Sequence, residues 1–110
     1  MLEKSKCVPC ESFGMQPFSR QEAKRHLAEV PEWTLAEDAL SISRHITFKG
    51  FKSVMFFVNA LAFLSEKEGH HPDLKLGYNY CTVAYSTHAI KGLSLNDFIC
   101  AAKVDQLLES

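Results

Sequence analysis

The sequence predicts an α+β domain: a four-stranded antiparallel sheet with helices packed on one face, in the order α-β-β-α-β-β-α. Three observations predict it. Residues 40–49 and 80–86 alternate apolar and polar side chains with period two, the pattern of half-buried strands. Between them, Phe51 to Glu68 repeats apolar residues at helical spacing. The strand signals come in pairs separated by that long helix, as expected of two hairpins.

Each element has a local reason. Residues 1–17 read as a flexible leader, broken by Pro9, Gly14 and Pro17. A single domain spans residues 18–110. It opens on Ser19-Arg20-Gln21-Glu22, a capping box, followed by a short helix with Ala23 and Leu27 on one face and Pro31 as its stop. Trp33 to Leu35 is a candidate strand, and Glu37-Asp38-Ala39 a turn. Leu40, Ile42, Ile46 and Phe48 then form the apolar face of the second strand, which Gly50 ends.

In the long helix, Phe51, Val54, Met55, Val58, Leu61 and Ala62 define the expected inward stripe. Phe56, Phe57, Phe63 and Leu64 widen it past one face, so the helix is expected to be buried on both sides, either as a central core helix or as one that also faces a second subunit. Gly69 is placed as its C-terminal cap. Leu74–Tyr78 and Tyr80–Ser86 follow as strands around a turn near Tyr78-Asn79, with Cys81, Val83 and Tyr85 facing the core. Ser94 and Asp97 form a second capping pattern, opening a last helix from Leu95 to about Leu108 with Leu95, Phe98, Ile99 and Ala102 inward.

Composition narrows the function. The chain is 46% hydrophobic and 23% charged, with a net charge of −1, so bulk electrostatics give no case for nucleic acid or an anionic membrane. The polar start Met1-Leu2-Glu3-Lys4 lacks the apolar region of a secretory signal, and the most apolar run, residues 54–64, falls short of the roughly 20 residues a bilayer span needs. A cytoplasmic location is expected, with Cys7, Cys10, Cys81 and Cys100 as reduced thiols. Cys7-Val8-Pro9-Cys10 could be half a zinc site or a redox pair, but no second such pair exists, and an inert role in the leader is the expectation. No glycine-rich phosphate loop and no Gly-x-Ser-x-Gly elbow is present.

The chemistry concentrates in Gly69-His70-His71-Pro72 and His88. The first run sits where a helix gives way to a loop, and Pro72 biases His71 to an extended backbone. Imidazole titrates near neutrality, so a cluster of three can supply an acid and a base together. Adjacent histidines can equally be plain surface residues. As metal ligands they chelate poorly compared with histidines one helical turn apart, and no metal is assigned. Asp97 caps the last helix and is also a candidate partner for a histidine or substrate. His26 and His45 read as surface residues without a role.

Glu66, His70-His71-Pro72, Tyr78-Asn79, Thr87-His88, Gly92-Leu93-Ser94, Asp97 and Ala101 together resemble the pterin-4a-carbinolamine dehydratase family. The resemblance covers about residues 30–108 and looks most like the bacterial branch, where a short cysteine-containing leader is ordinary. It implies a four-stranded antiparallel sheet backed by helices. It also implies a reaction, loss of water from a 4a-hydroxytetrahydropterin, which recycles the cofactor of aromatic amino acid hydroxylases such as phenylalanine hydroxylase. By position it implies His70, His71 and His88 as catalytic residues. It places Gly69, Ser86, Thr87, Ala89 and Asp97 at the pterin, with no metal and no cofactor. Homodimers or homotetramers are implied, as is an alternative life as a transcriptional coactivator or assembly factor. One residue departs from the family pattern: Leu74 stands where an aromatic residue is usual, so the stacking wall for the pterin is expected to be either weaker or supplied by Tyr78 or Tyr80.

Overall fold

Ser19 starts the first helix, α1 (Arg20–Leu27), through both halves of the capping box: its side chain accepts from the Glu22 amide, and Glu22 accepts from the Ser19 amide. The computed structural model describes residues 2–7 and 16–109. After α1 come strands β1 (Thr34–Leu35) and β2 (Ile42–Thr47), helix α2 (Phe51–Glu68), strands β3 (Asp73–Leu76) and β4 (Tyr80–Tyr85), and helix α3 (Leu95–Glu109). Short 3₁₀ turns occupy Leu2–Lys4 and His88–Ile90. The α+β order is the expected one.

All strand pairs are antiparallel, in the spatial order β1-β2-β4-β3. The central pair β2–β4 sets Ile42 opposite Tyr85 and Ile46 opposite Cys81. Cys81, Val83 and Tyr85 are buried on one face, as their alternation predicts, against Val54, Phe57 and Leu61 of α2 and Phe98, Ala101 and Val104 of α3. Arg44 interrupts the apolar face of β2. It ion-pairs with Asp105 of α3 at 2.5 Å, and the Trp33 indole donates to the same oxygen at 2.8 Å, so the polar tip is satisfied where it enters the core edge.

Some expectations need correction. The inward stripe of α2 is Val54, Phe57, Leu61 and Ser65, so Phe51, Phe56, Ala62 and Phe63 point outward. One face of α2 meets the sheet layer, and among the described residues its other face, with Phe51, Phe56 and Phe63, is exposed. Leu40 and Leu95, expected inward, are exposed: Leu40 precedes β2, and Leu95 is the first residue of α3, on the side of its first turn away from the core. β3 ends at Leu76 rather than Tyr78, since the Gly77 amide already turns to donate to the Tyr80 carbonyl. His26 is half-buried, not a bare surface residue; its ring stacks on Phe18 at 4.8 Å and tilts against Phe98.

Residues 2–7, the described part of the leader, lie against α3: Leu2 and Cys7 pack on the core, and Lys103 donates to the Glu3 carbonyl at 2.7 Å. Cys10 lies outside the described residues. Among those described, no helix is long and apolar enough to cross a membrane.

Two glycines shape the ground around the histidines. Gly69 closes α2 in the left-handed region (φ 67°), which a side chain would strain, and its amide returns to the Ser65 carbonyl. Gly92 lets Pro17 approach: a Cβ there would stand 2.7 Å from the proline ring.

Candidate active site

The Gly69 cap reverses the chain so that His70 drops inward and His71 stays out. His70 is buried, its ring stacked on Tyr85 with centroids 5.8 Å apart and planes 9° from parallel. Its Nε2 meets Asp97 Oδ1 at 2.7 Å. The Asp97 side chain is fully buried, and its other oxygen accepts from the Thr87 hydroxyl at 2.8 Å and the Ser94 amide at 2.9 Å. Because Thr87 spends its one proton on Asp97, the Ser94 hydroxyl must be the donor in the 2.8 Å contact between the two hydroxyls. The predicted cap thus exists in half. Asp97 reaches back to the Ser94 amide, while the Ser94 side chain is diverted to Thr87. Each proton donor around this carboxylate has a defined direction, and the carboxylate in turn holds the His70 proton on Nε2.

His71 makes the same kind of pair in a different medium. Its Nε2 lies 2.6 Å from Glu66 Oε2, with side-chain exposures of 59% and 78%. The pair stands at an apolar notch of about 220 Å³ that Leu61, Ala62, Pro72 and Leu74 help to line. His88 opens the 3₁₀ turn that follows β4 and is exposed. With Ser86, Thr87, Leu40, Lys91 and Gly92 it lines a second recess of about 230 Å³. Ala89 is exposed on the same turn.

The structure therefore joins His70, Thr87, Ser94 and Asp97 in one hydrogen-bonded set and puts His71 and His88 on two openings of the surface. Thr87 spans them, buried against Asp97 and lining the His88 recess. Tyr78 and Tyr80 do not replace the missing aromatic. Tyr80 stacks on His45 at the start of β4, five residues or roughly 17 Å along the strand from Tyr85, and Tyr78 lies in the turn before β4. Leu74, 40% exposed, lines the notch beside His71. The sequence assigns no role to Glu66, although it belongs to the family pattern, and reads Tyr85 only as core. Glu66 lies five residues before His71, a spacing that a helix end and a left-handed turn bring together but that no helical repeat advertises. Tyr85 reads as plain core by alternation, and nothing in the pattern marks it as the ring beneath His70.

Burial pushes the Tyr85 hydroxyl well above its usual range, with smaller pushes from Cys100 and Cys7. The Cys100 thiol is also held up, by its contact with Cys7 and by burial. Among the described residues no group of three or more His, Cys, Asp or Glu side chains could hold a metal ion.

Known proteins are similar to this chain along most of its length. Residues 16–107 match the family described as pterin 4 alpha carbinolamine dehydratase. A protein of Nitrosomonas eutropha, provisionally named pterin-4-alpha-carbinolamine dehydratase, is 52% identical over 99% of this chain and 95% of its own. A protein of Azoarcus under the same provisional name is 46% identical over 96% and 90%. A solved structure described as a transcriptional coactivator/pterin dehydratase from Brucella melitensis superposes with a TM-score of 0.79 and 26% identity, over 84% of this chain and 98% of that one. A second, a pterin dehydratase-like protein identified as a RuBisCO assembly factor in the α-carboxysome, gives 0.62 and 25%, over 72% and 92%. By sequence along nearly its whole length and by fold, the chain belongs to the pterin 4 alpha carbinolamine dehydratase family.

Proposed function

We propose that the protein dehydrates a 4a-hydroxytetrahydropterin to the quinonoid dihydropterin by imidazole acid–base catalysis, with His70, His71 and His88 as the catalytic residues. The observation that carries this reading is the His70–Asp97 pair, buried and completed by Thr87 and Ser94 beside the exposed His71. The reaction breaks the C4a–O bond. The leaving hydroxyl takes a proton to depart as water, and the proton on N5 is lost. This is proton transfer throughout, so neither metal nor redox cofactor has a step to perform.

The two exposed histidines suit the two proton transfers, since each opens on a surface recess. His70 is fixed by Asp97 through Nε2, which holds its ring in one orientation beside the exposed His71. Gly69 leaves room beside it, and Ser86, Thr87 and Ala89 offer backbone and hydroxyl groups to the pterin ring. The protein acts in the cytoplasm as a homodimer or homotetramer and recycles the cofactor of an aromatic amino acid hydroxylase, phenylalanine hydroxylase being the candidate partner.

A coupled hydroxylase assay tests the reading. Purified protein should speed loss of the 4a-hydroxytetrahydropterin, and His71→Ala or His88→Ala should slow it by about 10². If the protein gives only the uncatalysed rate, the reading fails. The family's coactivator and assembly-factor descriptions supply the second reading, an interaction module; the exposed Phe56 and Phe63 on α2 favour it. That reading gains if a folded protein lacking dehydratase activity is retained by a specific host protein through this face.

A further inference from the structure

The Cys7 and Cys100 sulfurs lie 3.3 Å apart, and neither thiol has a place in the dehydration chemistry. We propose that these two cysteines form a reversible disulfide that clasps the N-terminal segment to α3. Other contacts hold them in register without any covalent bond. The Cys7 amide donates to Glu68 Oε1 at 3.1 Å, and its thiol also approaches the Asn96 carbonyl at 3.8 Å. The Glu68 side chain is buried and lies 3.7 Å from Lys103, which in turn donates to the Glu3 carbonyl. The segment is thus fastened to the end of α2 and to two turns of α3 before oxidation begins.

A disulfide bond is about 2.05 Å long, so the sulfurs must close by roughly 1.3 Å, a shift within reach of side-chain rotation. The two thiols differ in access. Cys7 is half-buried, and Cys100 is buried one helical turn from Asp97. A hydroperoxide would therefore meet Cys7 first. Its sulfur attacks the O–O bond, taking one oxygen as sulfenic acid and releasing water or an alcohol. The Cys100 sulfur then attacks the Cys7 sulfur. The S–S bond forms, hydroxide leaves, and the Cys100 proton converts it to a second water. Reduction by a dithiol reverses the step by thiol–disulfide exchange.

The test uses the reduced full-length protein treated with stoichiometric hydrogen peroxide, digested with trypsin and mapped without reduction. The expected product links residues 7–20 to residues 92–103, with the loss of two hydrogens. Residues 7–20 also contain Cys10, so variants decide which thiol is joined. Cys10→Ser should keep the link and Cys7→Ser should lose it, and dithiothreitol should abolish it in both the wild type and Cys10→Ser. The oxidised protein should melt higher by on the order of 10 °C, because the crosslink closes a long loop in the unfolded chain. A link that survives in Cys7→Ser, a bond confined to Cys7 and Cys10, or oxidation of Cys7 to sulfinic acid without crosslinking would each overturn the proposal.

Discussion

His70 and His71 are neighbours in the chain, and each pairs with a carboxylate at nearly the same distance, 2.7 Å to Asp97 and 2.6 Å to Glu66. The side chains of the first pair are 6% and 0% exposed, those of the second 59% and 78%. Distance alone would rank them equal, but solvent separates them. In water both partners of the outer pair can be rehydrated, so holding them together gains little. In the interior, Asp97 has no water to fall back on, and each of its three donors replaces a lost hydration bond. The inner pair is a structural commitment that also orients an imidazole. The outer pair is free to move, which is what a group exchanging protons with a bound molecule requires.

The largest expected effect tests this asymmetry. Asp97→Ala strips the acceptor from His70, Thr87 and the Ser94 amide at once, and should cost about 3–5 kcal/mol of unfolding free energy, close to the whole stability of a small domain. Urea unfolding measures it. Glu66→Ala should stay within about 0.5 kcal/mol in the same assay. Equal losses from the two variants would break the comparison.

Thr87→Val comes next. The swap keeps the shape but removes one of the three donors to Asp97, and it leaves the Ser94 hydroxyl without its acceptor. A loss of about 1–3 kcal/mol is expected, since buried groups are left unsatisfied rather than both partners removed. A value near zero would mean that water reaches Asp97 after all, and the inner pair would lose its special standing.

The buried side should also dominate the pH response at the alkaline end. Tyr85, stacked on His70, has its hydroxyl pushed up from 10.0, and the Cys81 and Cys100 thiols are pushed up from 9.0, chiefly by burial for Tyr85 and Cys81 and by the Cys7 contact for Cys100. For each, the folded pKa exceeds the unfolded one, so the folded state keeps its proton while the unfolded chain sheds it. Their contribution is complete below about pH 9 and falls as the pH rises above that, by on the order of 1 kcal/mol per unit. Melting temperature measured from pH 8 to 11 should decline steadily. A flat profile would place these groups in contact with water in the folded state.

The same contrast explains what could be read from the amino-acid order. Period two and helical spacing located α2 and the inward face of β4 because burial there is set by the repeat of the element itself. The Ser19 box was legible because both its partners lie within one turn. The stripe of α2 was misjudged by a fraction of a turn: Phe56, Phe57 and Phe63 are equally apolar, and only the position of the sheet decides that Phe57 goes in. Around the histidines, the motif spacing pointed to His70, His71, His88 and Asp97. The division of His70 inside from His71 outside depends on the left-handed turn at Gly69 and on where α3 docks, and no local pattern encodes that docking. Tyr85 illustrates the limit. Its alternation marks it as core, and only the folded sheet reveals which ring it supports.

The smallest expected effect on stability falls at the outer pair, and there it separates two roles that a larger change would blur. Glu66→Gln keeps the length and the acceptor oxygen of the side chain but removes the negative charge beside His71. With both groups largely in water, unfolding free energy should move by less than about 0.5 kcal/mol. As the residue that orients the His71 ring for proton exchange with substrate, Glu66 should matter to the rate, so Glu66→Gln should slow dehydration while the fold is unchanged. His71→Ala, by contrast, should remove that proton transfer altogether. A Glu66→Gln variant with an unchanged rate would make Glu66 a bystander and leave His71 to work unaided. A variant that instead loses stability as heavily as Asp97→Ala would show that exposure does not govern what each pair contributes.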